Sequence, residues 1–286
     1  MKGRPRVAIL GGAGNLGTVL AISLHRAGYT VATVLAKSRG ASLRRAATVA
    51  RQAGAQASSD PSVLGSASVV WFCVPDAAIA PAALALAKSI RWRGKVALHS
   101  SGALTSDELS ILQKQGAAVA SVHPLMTFVR GSRPPLVDVP FALEGDHKAV
   151  RAARAIVRDL KGHSFTIRKT QKEAYHTWGM FASPLLTALL AATERVAGAA
   201  GVSRKAARQR MLPILTQTLA NYSRLGAPRA FSGSIARGDV ATVEKHLKVL
   251  QKVSGAREVY VALARTALCD LPAKNRAALE KILRTK

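Results

Sequence analysis

The chain has 286 residues, of which 49% are apolar and 20% charged, so it is long enough to bury a sizeable core and is expected to form two domains. Its formal net charge is +27, but the basic residues are spread along the whole chain and only 5% of residues are aromatic, which argues against a basic tail or a platform for stacked bases. A generally basic surface is therefore the preferred interpretation, with nucleic-acid binding and attraction to anionic membranes as the alternatives.

The N-terminal half alternates predicted strands and helices. Four apolar residues, Val7–Leu10, are typical of a buried parallel strand, and a glycine-rich segment and an amphipathic helix follow. Gly28 ends that helix, and residues 29–35 form the second predicted strand. Four further strands are predicted at residues 68–74, 95–99, 117–122 and 141–143. This alternation predicts a parallel, doubly wound α/β sheet.

The pattern changes near residue 169, after which no strand is predicted. Residues 171–200 are predicted to form one long helix whose apolar residues lie on nearly every face, which indicates burial on nearly every side. Further helices are predicted at residues 203–225, 240–253, 257–267 and 274–284. The densest basic runs, at residues 168–172 and 204–210, are expected at helix ends or on solvated faces. The chain is therefore divided into an α/β domain, residues 1–168, and an all-helical domain, residues 169–286.

Two observations bear on the cellular compartment. The longest uncharged stretch, residues 177–193, is slightly too short to span a membrane and contains Pro184, so it is interpreted as a buried helix. Cys73 and Cys269 have the spacing of neither a metal site nor a redox pair, and no targeting segment is recognised before the first strand. We therefore expect a reduced, cytoplasmic setting, no bound metal and no membrane partner.

A phosphate-binding loop is predicted between the first strand and the first helix. Its six residues fit the G-x-G-x-x-G pattern, in the strand–loop–helix–strand context that the pattern requires. Gly12 is expected to permit the tight turn, Gly14 to leave room for a pyrophosphate, and Gly17 to let the helix pack on the strand. The pyrophosphate would lie at the helix N-terminus, which favours anions. The candidate nucleotide ligands of the loop are Gly12, Ala13, Gly14, Asn15, Leu16 and Gly17. A glycine-rich turn without a ligand is the alternative.

The nucleotide is expected to be NADP rather than NAD. An NAD site of this Rossmann type places an acidic residue about 20 residues beyond the glycines, but no Asp or Glu precedes Asp60 in this chain. The second strand leads instead into Lys37, Ser38 and Arg39, whose hydroxyl and guanidinium groups suit a 2′-phosphate. The alternative is that both basic residues belong to the general basic surface. The remaining candidate cofactor residues are Val74, Pro75 and Ser100, at the ends of two later strands.

Several segments resemble Rossmann-like oxidoreductases that carry the C-terminal domain of unknown function 2520. In the α/β half they are the loop at residues 12–17, the strand end at residues 73–76 and the segment at residues 123–128. In the helical half, residues 174–183 and the segment at residues 234–247, which begins Ser-Ile-Ala-Arg-Gly-Asp, are similar to that domain. The resemblance covers nearly the whole chain. One residue departs from it, because the family often has Asn at the position of Pro184, where a kink is expected instead.

The resemblance implies a hydride-transferring enzyme. Related families with the same layout are pyrroline-5-carboxylate reductase, ketopantoate reductase, prephenate dehydrogenase and the deazaflavin-dependent NADP reductases, which act on small carbon centres. In that layout the helical domain forms the dimer and closes the substrate cleft. A small-molecule substrate and a homodimer through the helical domain are therefore expected.

Candidate catalytic residues follow the fourth and fifth strands, at the sheet edge where α/β proteins bind ligands. By likeness to prephenate dehydrogenases, His123 is the first acid/base candidate and Ser101 its partner or a substrate ligand. The alternative is that His123 only caps a strand. His176, on the long helix, is the second candidate, against a role as a hydrogen-bonded core residue. His99 is expected to point into the sheet.

A last pair of charged residues lies in the helical half. Arg237 and Asp239 are candidates to hold a carboxylate substrate, or alternatively form a loop ion pair with Asp239 as a helix N-cap. Taken together, the residues predict an NADP-dependent oxidoreductase acting on a small oxo- or imino-acid. A non-catalytic NADP-binding regulator and a nucleic-acid-binding protein are the alternatives, since the same fold serves several functions.

Overall fold

The structure, a computed structural model, describes residues 3–284 and divides into two compact units between residues 180 and 181. The first unit contains a sheet with helices on both faces, and the described part of the second unit is entirely helical. The predicted fold class, an α/β Rossmann-type domain followed by an all-helical one, is confirmed.

The sheet of the first unit has eight strands in the order β3-β2-β1-β4-β5-β6-β7-β8. The strands are β1 (Val7–Leu10), β2 (Val31–Leu35), β3 (Gln56–Ser58), β4 (Val69–Phe72), β5 (Val96–His99), β6 (Ala118–Pro124), β7 (Pro140–Gly145) and β8 (His163–Thr166). Its helices are α1 (Asn15–Arg26), α2 (Ala41–Gln52), α3 (Ile79–Ala87), α4 (Ser110–Gln113), α5 (His147–Asp159) and α6 (Lys172–Met180). Short 3₁₀ turns cover Pro61–Ser66, Asp76–Ala78, Ser106–Leu109 and Lys169–Gln171.

The sheet differs from the expected all-parallel arrangement at one point. Strands β6 and β7 pair antiparallel, while the other neighbouring strands are parallel. The connection over residues 125–139 contains no helix, so the chain returns in the opposite direction without a crossover. Strands β3 and β8 were not predicted, because they are short, half-exposed edge strands with polar residues and no apolar run.

Alternate residues of the central strands form two cores. Ile9 and Trp71 face a cluster that includes side chains from α1, α2 and α5. Val70 and Phe72 face a second cluster, to which α3 and α4 contribute. Because both faces are covered, β1 and β4 are buried along their whole length, which explains their continuous apolar sequence.

The predicted single helix over residues 171–200 is interrupted. The α-helical pattern ends at Met180, a π-helical segment covers Phe181–Leu185, and the helix α7 (Leu186–Ala199) follows. Pro184 lies inside the π segment, where its missing N–H removes a helical hydrogen bond. Lys172 and Tyr175 of α6 are buried, which is why this helix belongs to the first unit. The sequence-based division, between residues 168 and 169, lies before it.

The second unit continues from α7 through six more helices. They are α8 (Arg204–Leu225), α9 (Ala227–Ala230), α10 (Ser234–Arg237), α11 (Val240–Leu250), α12 (Ala256–Asp270) and α13 (Arg276–Arg284). Val243, Leu247 and Leu268 belong to the core that α11, α12 and α13 share. The expectation that residues 171–200 are buried on nearly every side is wrong for the single chain, because Ala192 is the only buried residue of α7 and Phe181 is 67% exposed.

Within residues 3–284, no single helix is both long and apolar enough to cross a membrane. The helical stretches at residues 169–199 and 204–225 meet the length and composition criteria only as a bent pair.

Candidate active site

In the loop between β1 and α1, Gly14 is exposed, whereas Gly12 and Gly17 are buried and closely packed. A Cβ atom at Gly12 would lie 2.6 Å from Cγ1 of Val34, and one at Gly17 would lie 2.6 Å from the carbonyl oxygen of Gly11. A Cβ atom at Gly14 would meet nothing nearer than 3.3 Å. Gly14 is also the N-cap of α1, whose first turn has no side-chain cap and no acidic residue. The helix N-terminus is therefore accessible and free of negative charge, as an anion site requires.

Side chains of the same loop have structural contacts. The Asn15 amide donates to the carbonyl oxygen of Phe128 at 3.0 Å, which joins the loop to the segment after β6. Ala13 and Leu16 are partly buried against the core.

The segment after β2 is exposed and basic. Lys37, Ser38 and Arg39 are all exposed, and α2 begins shortly after them. Asp60 follows β3, which pairs with β2, but its carboxylate oxygens accept hydrogen bonds from the backbone N–H of Ser62 at 2.9 Å and from the Ser62 hydroxyl at 2.6 Å. The first carboxylate of the chain is thus engaged by its own turn.

His123 lies at the carboxyl end of β6 and contacts α6. Its Nδ1 is 2.7 Å from the Tyr175 hydroxyl, and the two rings meet edge to face with centroids 5.5 Å apart. Burial, and after it the positive charge of Lys172, lowers the pKa of His123 to about 4. Burial raises the pKa of Tyr175, so its phenol stays protonated and is able to donate to Nδ1.

The structure brings His176 close to His123. The centroids of the two rings are 6.5 Å apart. Gly102 lies against both rings, since a Cβ atom at this position would be 2.7 Å from Cδ2 of His176 and 2.9 Å from Nε2 of His123. The two histidine rings and Gly102 therefore form one wall of the candidate site. A larger residue at position 102 would displace at least one of the rings.

Ser101 is placed beside these residues, but its hydroxyl is bound elsewhere. The Ser101 hydroxyl donates to Oδ2 of Asp76 at 2.8 Å and accepts from the backbone N–H of Leu104 at 2.9 Å. Its backbone N–H donates to Nδ1 of His99 at 3.2 Å. The expected pairing of Ser101 with His123 is therefore replaced by a pairing with Asp76.

The remaining predicted residues have structural contacts. The Ser100 hydroxyl accepts from the indole N–H of Trp71 at 2.8 Å, Val74 packs near Gly11, and Pro75 opens the 3₁₀ turn that carries Asp76. His99 is fully buried, as expected. Its Nε2 is 3.0 Å from the carbonyl oxygen of Thr105, so its Nδ1 accepts from Ser101 and its Nε2 donates.

Arg237 and Asp239 lie in the second unit. The Asp239 carboxylate accepts from the backbone N–H of Thr242 at 3.1 Å and caps α11, while Arg237 is exposed. Asp239 is therefore the helix N-cap of the predicted alternative, but it forms no ion pair with Arg237 within 4 Å. No group of three or more His, Cys, Asp or Glu residues suited to a metal occurs in the described part of the chain.

Sequence reasoning missed three residues of this site, namely Asp76, Tyr175 and Lys172. The sequence places Lys172 in a basic run that is expected at a helix end or on a solvated face, but Lys172 is only 1% exposed. Its Nζ donates to the carbonyl oxygen of Ser101 at 2.8 Å and to the Ser121 hydroxyl at 2.6 Å. One sequence signal could have indicated two of the three residues. Lys172 and Tyr175 precede His176 by four residues and one residue, so all three lie in the first turns of one predicted helix, and Lys172 shares a helix face with the other two.

Two family models match the chain. A Rossmann-like domain matches residues 1–124, and a domain of unknown function (DUF2520) matches residues 139–267. No curated protein matches the chain at a significant level.

Several solved structures share the fold at low sequence identity. A protein from Bacteroides fragilis that is proposed to be an NADP oxidoreductase is 19% identical, covering 92% of this chain and 97% of its own, with a TM-score of 0.75. An imine reductase from Pseudomonas sp. is 22% identical, covering 99% and 100% of the two chains, with a TM-score of 0.66. A reductive aminase from Aspergillus terreus, solved with NADPH and ethyl-5-oxohexanoate, is 15% identical, covering 98% and 100%, with a TM-score of 0.61.

These identities are low enough that the likeness shows the fold rather than the activity of this chain. The two matched domains are the ones that the sequence resembles. The chain is therefore a Rossmann-like protein that carries the domain of unknown function 2520, as its sequence predicts.

Proposed function

We propose that this chain is an NADP-dependent oxidoreductase that transfers a hydride to or from a small oxo- or imino-acid. The observation that carries the proposal is that an open glycine loop follows β1 and the His123 cluster follows β5 and β6, at the carboxyl edge of one sheet. Proteins with such sheets bind their ligands at this edge. A nucleotide on Gly14 and a substrate beside His123 would therefore meet there.

The nucleotide half of the proposal rests on shape and charge. The accessible N-terminus of α1 at Gly14 suits a pyrophosphate, and the exposed Ser38 and Arg39, with Lys37, suit a 2′-phosphate. The carboxylate of Asp60, which follows β3 beside β2, is engaged by its own turn. Val74, Pro75 and Ser100 are proposed to line the nicotinamide half, and a bound nicotinamide would supply or accept the hydride.

In this proposal His123 is a neutral hydrogen-bond donor. The proposal assigns the protonated Tyr175 hydroxyl, 2.7 Å from Nδ1, as the donor to that nitrogen, which places the ring proton at Nε2. Nε2 is the ring nitrogen beside Gly102. A donor fixed there would stabilise negative charge that develops on a carbonyl oxygen or imine nitrogen during hydride transfer. His176 is proposed to contact the substrate from the neighbouring position.

The test is a panel of oxo- and imino-acids, including ketopantoate and pyrroline-5-carboxylate, with NADPH consumption followed by absorbance. Turnover of at least one member by the natural chain is expected, and none by a Gly14→Val chain, in which the pyrophosphate approach is filled. If NADPH binds but no member of the panel is turned over, the non-catalytic regulator replaces the enzyme. Retention on DNA that is sensitive to salt but not to NADPH would favour the nucleic-acid alternative.

We further propose that the chain is a homodimer through its helical unit. A groove of about 560 Å³ in that unit is lined mainly by apolar residues of α7, α11 and α12, including Leu189, Val249 and Leu263. Helix α8 has one buried residue, Ala207, and four large apolar side chains at least 56% exposed. These are Leu212, Ile214, Leu219 and Tyr222. An apolar groove and an exposed apolar helix face on one unit suit a two-fold interface, because each copy presents both.

The proposed setting is the cytoplasm, where NADPH-dependent reduction and unpaired cysteines are both expected. Cys73 and Cys269 are free. No nucleic-acid partner is proposed.

A further inference from the structure

Lys172 is a charged residue inside the protein that the proposed hydride transfer does not use. Its side chain is 1% exposed. Burying an ammonium group is costly unless hydrogen bonds and opposite charges compensate it. Two acceptors lie within reach of its Nζ, and the carboxylates of Glu144 and Asp76 favour its charged form. The structure thus keeps a positive charge next to Ser101 and Ser121, beside the candidate active site.

The hydrogen bonds of Lys172 close a small cluster that joins three elements. Lys172 from α6 donates to the Ser101 carbonyl after β5 and to the Ser121 hydroxyl of β6, and the Ser121 hydroxyl donates to the same carbonyl at 3.1 Å. Ser101 is also held through its N–H by His99 and through its hydroxyl by Asp76. The N–H, the carbonyl oxygen and the hydroxyl of Ser101 are therefore all held by hydrogen bonds.

The peptide held in this way leads directly into Gly102. Gly102 lies so close to the rings of His123 and His176 that an added Cβ atom would overlap both, so a shift of the Ser101–Gly102 peptide would move the wall of the candidate substrate site. After burial, the positive charge of Lys172 is also a cause of the lowered pKa of His123. One buried side chain thus acts on both the geometry and the protonation of the proposed donor.

We propose that Lys172 is a positioning residue, which fixes the Ser101–Gly102 peptide against the two histidine rings and places a positive charge near the imidazole of His123. This inference rests on the proposed function, since the donor that it positions is the one proposed there. Lys172 does not reach the substrate in this proposal, because its amino group is buried and engaged from within the protein.

The consequence for His123 has a definite sign. The charged or titratable groups facing it are Lys172, His176, His99 and Tyr175, with the carboxylates of Asp76 and Glu144 acting on Lys172. Burial and the positive neighbours both lower the pKa of His123, to about 4. Removing the charge of Lys172 removes one of these causes, so the pKa of His123 is expected to rise toward its ordinary value.

The experiment replaces Lys172 with Met, of similar length but without charge, and with Gln, which keeps two N–H donors. Lys169→Met is the matched control, since Lys169 lies three residues away but forms an exposed ion pair with Asp107. The titration of His123 is followed by NMR and assigned with a His123→Asn chain. Folding is checked by circular dichroism and a thermal melt. The titration needs no substrate, so its result is independent of whether the proposed reaction is found.

The expected result in whichever Lys172 variant folds is an upward shift of the His123 titration by about one pH unit, the size of effect that one neighbouring charge produces. With a substrate identified, turnover is expected to fall about tenfold or more while KM for NADPH is unchanged. Lys169→Met is expected to leave both unchanged. A folded Lys172 variant with the His123 titration of the natural chain would overturn the proposal. Failure of both variants to fold, with Lys169→Met folding normally, would equally overturn it in favour of a purely structural lysine.

Discussion

Replacing His123 with Asn separates the roles of its two ring nitrogens. An Asn side chain places its amide oxygen near the position of Nδ1, so it can still accept the hydrogen bond from Tyr175. It has no atom at the position of Nε2, beside Gly102, where the proposed donor lies. We expect turnover to fall by about 10²-fold or more, because one positioned donor contributes about 10²- to 10⁴-fold. NADPH affinity, measured by calorimetry, is expected to change little.

His123→Gln is the matched comparison, because its longer side chain brings an amide N–H close to the position of Nε2. We expect it to retain more turnover than His123→Asn. His176→Asn is expected to reduce turnover less than His123→Asn does. Normal turnover in His123→Asn together with its loss in His176→Asn would move the donor to His176.

The pKa of His123 also predicts a pH profile. With a pKa of about 4, roughly one His123 side chain in 10³ carries a second proton at neutral pH. If the doubly protonated ring were the required acid, kcat for an oxo-acid would rise about tenfold for each unit of acidification below neutral pH. A neutral donor predicts a kcat that is flat across the same range.

Initial rates at saturating substrate between about pH 5.5 and 7 distinguish these outcomes, since Lys172, whose pKa burial lowers to about 8, stays charged there. A tenfold rise for each unit would refute the neutral-donor reasoning.

Three further predictions concern the cofactor and the assembly. NADPH is expected to bind at least about tenfold more tightly than NADH, a difference of about 1.4 kcal/mol, and Arg39→Asp is expected to weaken NADPH and spare NADH in calorimetry. Gly14→Val is expected to abolish nucleotide binding in a folded chain, whereas Gly17→Val is expected to lower the unfolding temperature, because the nearest atoms to the added Cβ lie at 3.3 Å and 2.6 Å. Ile214→Glu is expected to turn a dimer into a monomer in light scattering, since it places a charge on the exposed apolar face of α8. Equal affinities for the two nucleotides, normal NADPH binding by Gly14→Val, or a natural chain that is monomeric at micromolar concentration would each contradict the corresponding prediction.

The parts of the fold that the sequence predicts are those in which local pattern and burial coincide. The run Val7–Leu10 is apolar because both faces of β1 are covered, so its pattern alone predicts a central parallel strand. Strands β3 and β8 lie at the two edges of the sheet and carry polar residues, so their pairing depends on neighbours that no local pattern records. The antiparallel pairing of β6 and β7 depends in the same way on the missing helix between them.

The candidate site shows the same division. His123 is predictable because it follows a strand, where ligands of α/β proteins bind. Lys172 is not, because a lysine in a basic run is solvated far more often than buried, and only the tertiary fold places carbonyl and hydroxyl acceptors around its amino group. Asp76 and Ser101 are far apart in the sequence, and their hydrogen bond exists because β4 and β5 are neighbours in the sheet.

The saturated hydrogen bonding of Ser101 has a thermodynamic consequence for ligand binding. Its N–H, its carbonyl oxygen and its hydroxyl are all bound within the folded chain. The turn that carries Gly102 is therefore ordered when the protein folds, and a ligand arriving beside it does not have to immobilise it. The affinity of a ligand at this wall then depends on the ligand's own loss of freedom and on the contacts that it forms, and not on the cost of ordering the turn. This is the advantage of a preorganised site.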